Sequence, residues 1–584
     1  MMNTEWNLNI LYQGIEDPNY EADIKRAEQV LAQLHSFLEK AGEKPELERV
    51  ETILTLQEKA TLLLSRLSGY LGLRQAVNTE DGAVMAQLNR IMRLTSAAAA
   101  DSAAAQKLLG AVTDVEALAQ DSSIIEAYKT LILQAKKECA HLLSDAEEAM
   151  VASMDMTGGS AWGQLQSYLT STVPVSWKGE QVSLSEIRNL AYSADQTVRK
   201  EAYEAELACY ERIADPIAFA LNHIKNQVTM LAEKRGYASP LDMTLEESHM
   251  SRETLDAMME AVKEYLPVFH RYMRKKGELL GHKNGMPWYE LFAPIGSDNS
   301  KYSLTECRDI LLECFGGFDR SMADMMSEAF SHEWIDFYPR NGKEGGAFCA
   351  ELMEQKQSRI LTNYDGTFGA VDTLAHELGH AFHNRQLENE RPLNWNYPMP
   401  VAETASTFNE VFLGDWALKR AEPETKLALL ENDLKSKVSC VVDIYSRYLF
   451  ETAVFEQAQQ QFLMTDDLSS LMLECQKAAY GDGLDPDYMH PYMWVCKSHY
   501  YISSLSFYNF PYTFGCLFAQ GLYNLYRKQG DKFVANYKEM LRMTPVHTIE
   551  EDGAMLGVDL TKPDFWRESL QSFAEEIEEF CSLC

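Results

Sequence analysis

The sequence predicts a mostly α-helical protein with a small β-sheet beside one central helix. Three observations carry that expectation. Apolar residues recur at three- and four-residue steps over long stretches rich in Ala, Leu, Glu, Gln and Lys. Turn-forming clusters punctuate those stretches, and two short strand-like runs precede the segment His376-Glu377-Leu378-Gly379-His380. At 584 residues the chain exceeds one compact core, so a few modules or one multi-lobed helical body are expected.

From about Glu21 to Lys137 the pattern is helical, as in Ala27-Val30-Leu31-Leu34, and the Ala-rich stretch from Ser96 to Ala105 permits close helix packing. Between about Thr157 and Leu184, Gly158-Gly159 and a Ser/Thr-rich run read as a loop with short strands. Ser183 or Ser185 is placed to cap a helix before Ile187. This change of pattern sets an expected boundary, with an N-terminal helical lobe over 1–185 and a catalytic domain over 186–584. Helical periodicity resumes near Ala194 and runs to about Ser331. Pro339 to Gly346 is turn-rich; Ala347-Phe348-Cys349 and Ser358 to Tyr364 read as short strands, and a helix begins near Val371. The remainder is again mostly helical, apart from the Gly481–Pro486 turn and the aromatic segment His499 to Gly515.

Hydrophobic content of 46% with 24% charged residues suits a folded chain rather than a disordered one. With 53 Lys+Arg against 87 Asp+Glu the net charge is −34, which repels phosphate backbones and anionic lipid headgroups. Nucleic acid and membrane are therefore not expected as partners. The N-terminus lacks a basic stretch followed by an apolar one, and no apolar run approaches the roughly 18–20 residues of a membrane span. The eleven cysteines, scattered from Cys139 to Cys584, fit reduced thiols, so a cytoplasmic location is expected. Cys581-Ser-Leu-Cys584 has CxxC spacing but reads as a bystander at a chain end.

The chemistry sits on the helix of His376 and His380. Residues four apart on a helix lie one above the other, roughly 6 Å apart, so two neutral imidazoles there can chelate one Zn²⁺. Glu377, between them, reaches the water that the metal activates rather than the metal itself. This is the HExxH arrangement of metallopeptidases, with the glutamate as general base. A catalytic zinc needs a third protein ligand. The metzincin spacing would put Gly at 383 and His at 386, but the chain has His383 and Gln386. Glu388, Glu390, Glu403 and Glu410 are the nearby carboxylates. The first two follow the motif helix within about two to three turns and would point away or into its C-terminal loop. Glu403 lies after Pro398-Met399-Pro400 at the start of a new helix, where a fold-back brings it to the histidines. Glu410, two turns on, and Asp372, one turn before His376, suit outer carboxylates that hold a histidine ring.

Leu374-Ala-His-Glu-Leu-Gly-His-Ala-Phe-His383 followed by Glu403-Thr-Ala-Ser-Thr-Phe-Asn-Glu410 resembles the oligoendopeptidase F branch of the thimet oligopeptidase family. Gly346-Ala-Phe-Cys349, Ile360-Leu-Thr-Asn-Tyr364 and the run from His499 to Gly515 are similar to that branch as well. The resemblance implies one Zn²⁺ per chain on His376, His380 and Glu403, with Glu377 as base. It also implies that His499, Tyr508 and Tyr512 stabilise an oxyanion, although Ser504 stands where the thimet branch has a further tyrosine. It implies a two-lobed helical body with a deep central channel that admits oligopeptides and excludes folded proteins.

Gly345, Gly346 and Ala347 form a candidate edge strand that could hold an extended peptide by β-augmentation. The expected activity is hydrolysis of internal bonds in short peptides. Two other readings remain: trimming of peptide ends, as by a peptidyl-dipeptidase or carboxypeptidase, and a non-catalytic helical binding protein stapled by a metal.

Overall fold

The computed structural model describes residues 3–296 and 300–584. Helices dominate from Pro18–Leu38 to Pro563–Leu583, and many start where the sequence supplies a cap. Asp17, Asp81 and Ser303 each accept a hydrogen bond from a first-turn amide, and Ser183 pairs with Glu186 in a full capping box. Each cap satisfies amides that a helix start would otherwise leave orphaned.

Two small sheets interrupt the helices. Strands β1 (Val175–Trp177) and β2 (Glu180–Val182) form an antiparallel hairpin, turned by Lys178 and Gly179 at φ 49° and 89°. The second sheet holds β3 (Ile335–Asp336), β4 (Phe348–Leu352) and β5 (Gln357–Leu361) in the order β3-β5-β4. Strand β5 is central, parallel to β3 and antiparallel to β4, so β4 is an edge. The small sheet beside the motif helix is therefore present: that helix (Phe368–Leu387) packs on β4 and β5.

One stretch differs from expectation. The Ser/Thr-rich segment after Gly158 is a helix, Gly159–Thr172, rather than a loop. Thr170 and Thr172 return their hydroxyls to the carbonyls of Gln166 and Tyr168, which removes their competition with the helical ladder. At Gly163 a Cβ would meet the Tyr501 carbonyl oxygen at 2.5 Å, so the glycine lets that backbone approach the helix.

The chain forms two compact units, each discontinuous in sequence. The first comprises Met1–Leu142, Asn299–Leu413 and Tyr526–Leu556, and the second Leu143–Asp298, Gly414–Leu525 and Gly557–Cys584. This division differs from the boundary expected at 185. In the first unit Trp6, Tyr12, Tyr20, Leu67 and Leu71 share one core with Leu352 of β4 and Leu361 of β5. The N-terminal helices thus belong with the sheet that supports the motif helix, a partnership set by packing across nearly three hundred residues of chain.

The second unit packs Gly159–Thr172 on Ala214–Lys234 and Arg252–Leu279 on Pro563–Leu583. Its interior holds ion pairs closed from water: Lys225 on Glu451 at 2.6 Å, and Arg199 Nε on Glu290 Oε2 at 2.8 Å. Such pairs offset their desolvation only when the geometry is tight. Among the described residues no helix is long and apolar enough to cross a membrane.

Candidate active site

Thr367 caps the motif helix by accepting from the Ala370 amide at 3.2 Å, and Asp365 accepts from the Thr367 amide at 2.9 Å. This cap starts the helix at Phe368, slightly before the expected Val371. One turn separates His376 from His380, whose rings lie 4.9 Å apart at 82°. Beyond Met399–Ala402 the chain turns back, and Glu403 precedes the helix Thr404–Leu418. Its Oε2 lies 3.2 Å from His376 Nε2 and 3.3 Å from His380 Nε2.

Glycine at 379 makes this fold-back possible. A Cβ there would meet the Ala405 carbonyl oxygen at 2.5 Å and Ser406 Cα at 2.6 Å. The second helix can seat its first turn against the motif helix only because that side chain is absent. Asn409 Nδ2 donates to the Ala375 carbonyl at 2.9 Å, and Ser406 Oγ donates to Glu403 Oε2 at 2.8 Å. None of these three roles follows from metal-ligand spacing. Gly379 was visible as a small residue inside the motif, but its partner was not.

Glu410 Oε1 accepts from His376 Nδ1 at 2.7 Å, leaving Nε2 to face Glu403. Asp372 and His376 line one cavity. His383, which stands at the metzincin glycine position, is fully buried. Its Nε2 donates to the Leu541 carbonyl at 3.0 Å and its ring stacks on Tyr397 at 4.1 Å. Burial holds its pKa down to about 3, as befits a core imidazole.

Electrostatics separate the roles of the remaining groups. Burial would lower the His376 pKa, but hydrogen bonds to Glu403 and Glu410 outweigh it and carry it up to about 10. Burial would raise Glu403, yet the two imidazoles hold it well below the usual carboxylate range. Glu377 is 5% exposed, and burial pushes its pKa upward against the pull of both histidines. Two imidazole nitrogens and one carboxylate oxygen, all within 4.8 Å of one another, match the three-ligand set of a catalytic zinc with a further position for water. The residues fit the metal. A metal held there would take the place of the His376 proton, so its binding would be coupled to proton release.

A cavity of about 500 Å³ opens beside these groups, walled by His376, Glu377 and Glu410 and, on the sheet side, by Gly346, Ala347 and Asn363. Gly345 and Gly346 are a bend rather than strand, and β4 begins only at Phe348. Gly346 takes φ +79°, and Asn363 Nδ2 donates to the carbonyls of Glu344 and Gly346 at 2.9 Å each. These bonds divert that backbone from strand pairing. The edge expected over 345–347 is carried instead by β4, which pairs on one side with β5.

His499, Tyr508 and Tyr512 lie in the second unit and form one aromatic group. The His499 ring is 4.6 Å from Tyr508 and 6.0 Å from Tyr512, and the two tyrosines are 5.5 Å apart. Burial, with Arg447 and Lys497 nearby, lowers the His499 pKa and favours the neutral ring. Phe507 holds φ +52°, an uncommon conformation for a bulky residue. Buried Glu451 secures it, accepting from the Phe507 amide at 3.1 Å and from Asn509 Nδ2 at 2.8 Å while paired with Lys225. Glu451 and Lys225 escaped the sequence reading because nothing local links positions 226 residues apart.

The sequence pattern of Peptidase family M3 matches residues 189–293 and 319–572, more than half of the chain. The chain belongs to peptidase family M3. It is a metallopeptidase, and the matched span includes His376, Glu377, His380 and Glu403. The chain is 24% identical to oligopeptidase PepF of Bacillus subtilis over 99% of its own length and 87% of that protein's. It is 26% identical to group B oligopeptidase PepB of Streptococcus agalactiae, covering 76% of this chain and 74% of the other. The crystal structure of oligoendopeptidase-F from Enterococcus faecium has the same fold, with a TM-score of 0.68 at 20% identity over 96% of this chain and 99% of that one. M3 membership and these likenesses agree with the mostly helical architecture read from the sequence.

Proposed function

We propose that this M3 peptidase is a zinc-dependent endopeptidase that hydrolyses internal bonds of short oligopeptides. The observation that carries the reading is the convergence of His376 Nε2, His380 Nε2 and Glu403 Oε2 beside a buried glutamate on the wall of a cavity. Zn²⁺ held there supplies a Lewis acid that polarises the scissile carbonyl and lowers the pKa of a water toward about 7. Glu377 takes a proton from the attacking water and delivers it to the leaving amine; its upward-shifted carboxyl suits a group that both accepts and returns a proton. Glu410 keeps His376 turned so that Nε2 faces the metal position. The Tyr508 phenol and the His499 N–H donate to the oxyanion that forms, with Tyr512 as the second phenol of that group. Peptide backbone is held along the β4 edge beyond Gly346 and Ala347. The names of the relatives, oligopeptidases and oligoendopeptidases, support short peptides as substrates.

The test combines metal analysis with cleavage-site mapping on peptides blocked at both ends. One zinc per chain and internal cleavage of the blocked peptides are expected. Resistance of those peptides favours end-trimming and overturns the endopeptidase reading. Glu377→Gln should keep its zinc and lose roughly 10²–10⁴-fold in kcat; wild-type turnover by that variant would overturn Glu377 as the base.

A further inference from the structure

The cavity beside His376 and Glu377 lies wholly in the first unit, and one of its walls is the bend at Gly346 and Ala347. Two glycines in succession, Gly345 and Gly346, give that wall the greatest backbone freedom a chain can have. The chain on either side is fixed. Upstream, the Glu344 amide donates to the Ala76 carbonyl at 2.8 Å and Lys343 Nζ to the Thr362 carbonyl at 2.6 Å. Downstream, β4 begins at Phe348 and pairs with Leu361 of β5.

Asn363 spans the interval between those anchors. A carboxamide nitrogen carries two hydrogens, and here one serves the Glu344 carbonyl and the other the Gly346 carbonyl, at 2.9 Å each. The residue stands just past the end of β5, where its own backbone is held on both sides. The Thr362 amide donates to the Asp336 carbonyl at 2.9 Å, and the Tyr364 amide to the Phe337 carbonyl at 2.8 Å. One side chain thus ties a two-glycine bend to the sheet, while the same side chain lines the cavity.

A wall that must be ordered by its ligand costs affinity, and a wall already ordered does not. We infer that Asn363 is a positioning residue for the substrate: by clamping the Gly345–Gly346 bend it presents Gly346 and Ala347 pre-ordered to the backbone of an extended peptide beside Glu377. The inference rests on the peptidase reading above.

The experiment measures KM and kcat of the zinc-loaded enzyme on a quenched peptide blocked at both ends. Asn363→Leu and Asn363→Asp keep the shape of the side chain and remove both donors. Each should raise KM about tenfold, with kcat and zinc content little changed. Gly345→Ala orders the bend by a separate route. Gly345 lies outside the left-handed region, and a Cβ there would meet nothing within 4 Å, so the substitution narrows the freedom of the bend without a clash. Added to Asn363→Leu, it should lower KM again by about threefold.

Wild-type KM in both Asn363 variants overturns the inference and leaves the peptidase intact. A raised KM confined to Asn363→Asp also overturns it, because the added charge is then the cause. So does a loss of zinc that accompanies the change in KM and that Gly345→Ala does not relieve. If the wild-type enzyme cleaves no peptide, the peptidase reading fails, and calorimetry of zinc-loaded Glu377→Gln with and without Asn363→Leu still decides the role of Asn363. There, weaker peptide binding by the double variant upholds the inference and equal binding overturns it.

Discussion

The metal-ligand region of the first unit and the aromatic region of the second are built in opposite ways. The first is assembled from two helices close in sequence, with His376, His380, Glu403 and their hydrogen-bonding partners between residues 375 and 410. Its geometry follows from helical stacking of His376 on His380, one fold-back at Glu403 and one missing side chain at Gly379. The second depends on a turn that local preference disfavours. Phe507 stays in the left-handed region because Glu451, carried on another helix and paired with Lys225 from a third, holds the turn. A local site tolerates change elsewhere in the chain; a site secured by distant buried charge does not.

Four substitutions sharpen or break this contrast. Glu403→Ala should have the largest effect. It removes the only carboxylate of the ligand set, so zinc content should fall below detection after dialysis and activity with it, with stability little altered because Glu403 is half exposed. Elemental analysis and thermal melting check both halves. Retention of stoichiometric zinc would show that another donor completes the site.

Glu451→Ala strands a buried ammonium and should cost about 3–5 kcal/mol of stability. Where the protein remains folded, kcat should drop while zinc content stays unchanged. Denaturant unfolding and zinc analysis on one preparation read both quantities; loss of zinc in step with kcat would erase the distinction between the regions.

Gly379→Ala should weaken zinc affinity about tenfold or more by pushing the Ala405 carbonyl, and Glu403 with it, away from the histidines. Competition with a chelator measures it, and wild-type affinity would mean that the helix pair can slide apart at no cost. Glu410→Gln keeps a hydrogen-bonding side chain but removes its charge, so its effect on zinc affinity should be the smallest, about tenfold. A larger loss than that of Gly379→Ala would rank charge above helix approach in building the site.

Much of the metal-ligand region was legible because its physics is periodic. An i,i+4 pair of histidines, a proline break and a glutamate at the next helix start are all short-range signals. The Gly345–Ala347 segment was legible as irregular but not as a bend, because Asn363 lies on the far side of β5 from it in sequence. The helix Gly159–Thr172 was missed for a related reason. Serine and threonine disfavour helix in isolation, and only hydroxyl back-bonding and burial against Ala214–Lys234 reverse that preference.

By itself the sequence determined the helical class, the cap at Ser183, the place of the small sheet and the donor types of the candidate metal site. Each of these depends on residues within a turn or two of one another. Tertiary structure alone decided that the N-terminal helices share a core with Leu352 and Leu361, and that His383 is a core imidazole on Leu541. It likewise decided that Glu451 shapes the turn before Tyr508, and that Asn363 bonds the bend at Gly346. Burial and charge compensation act through space, and no local pattern records which distant segment will supply the partner.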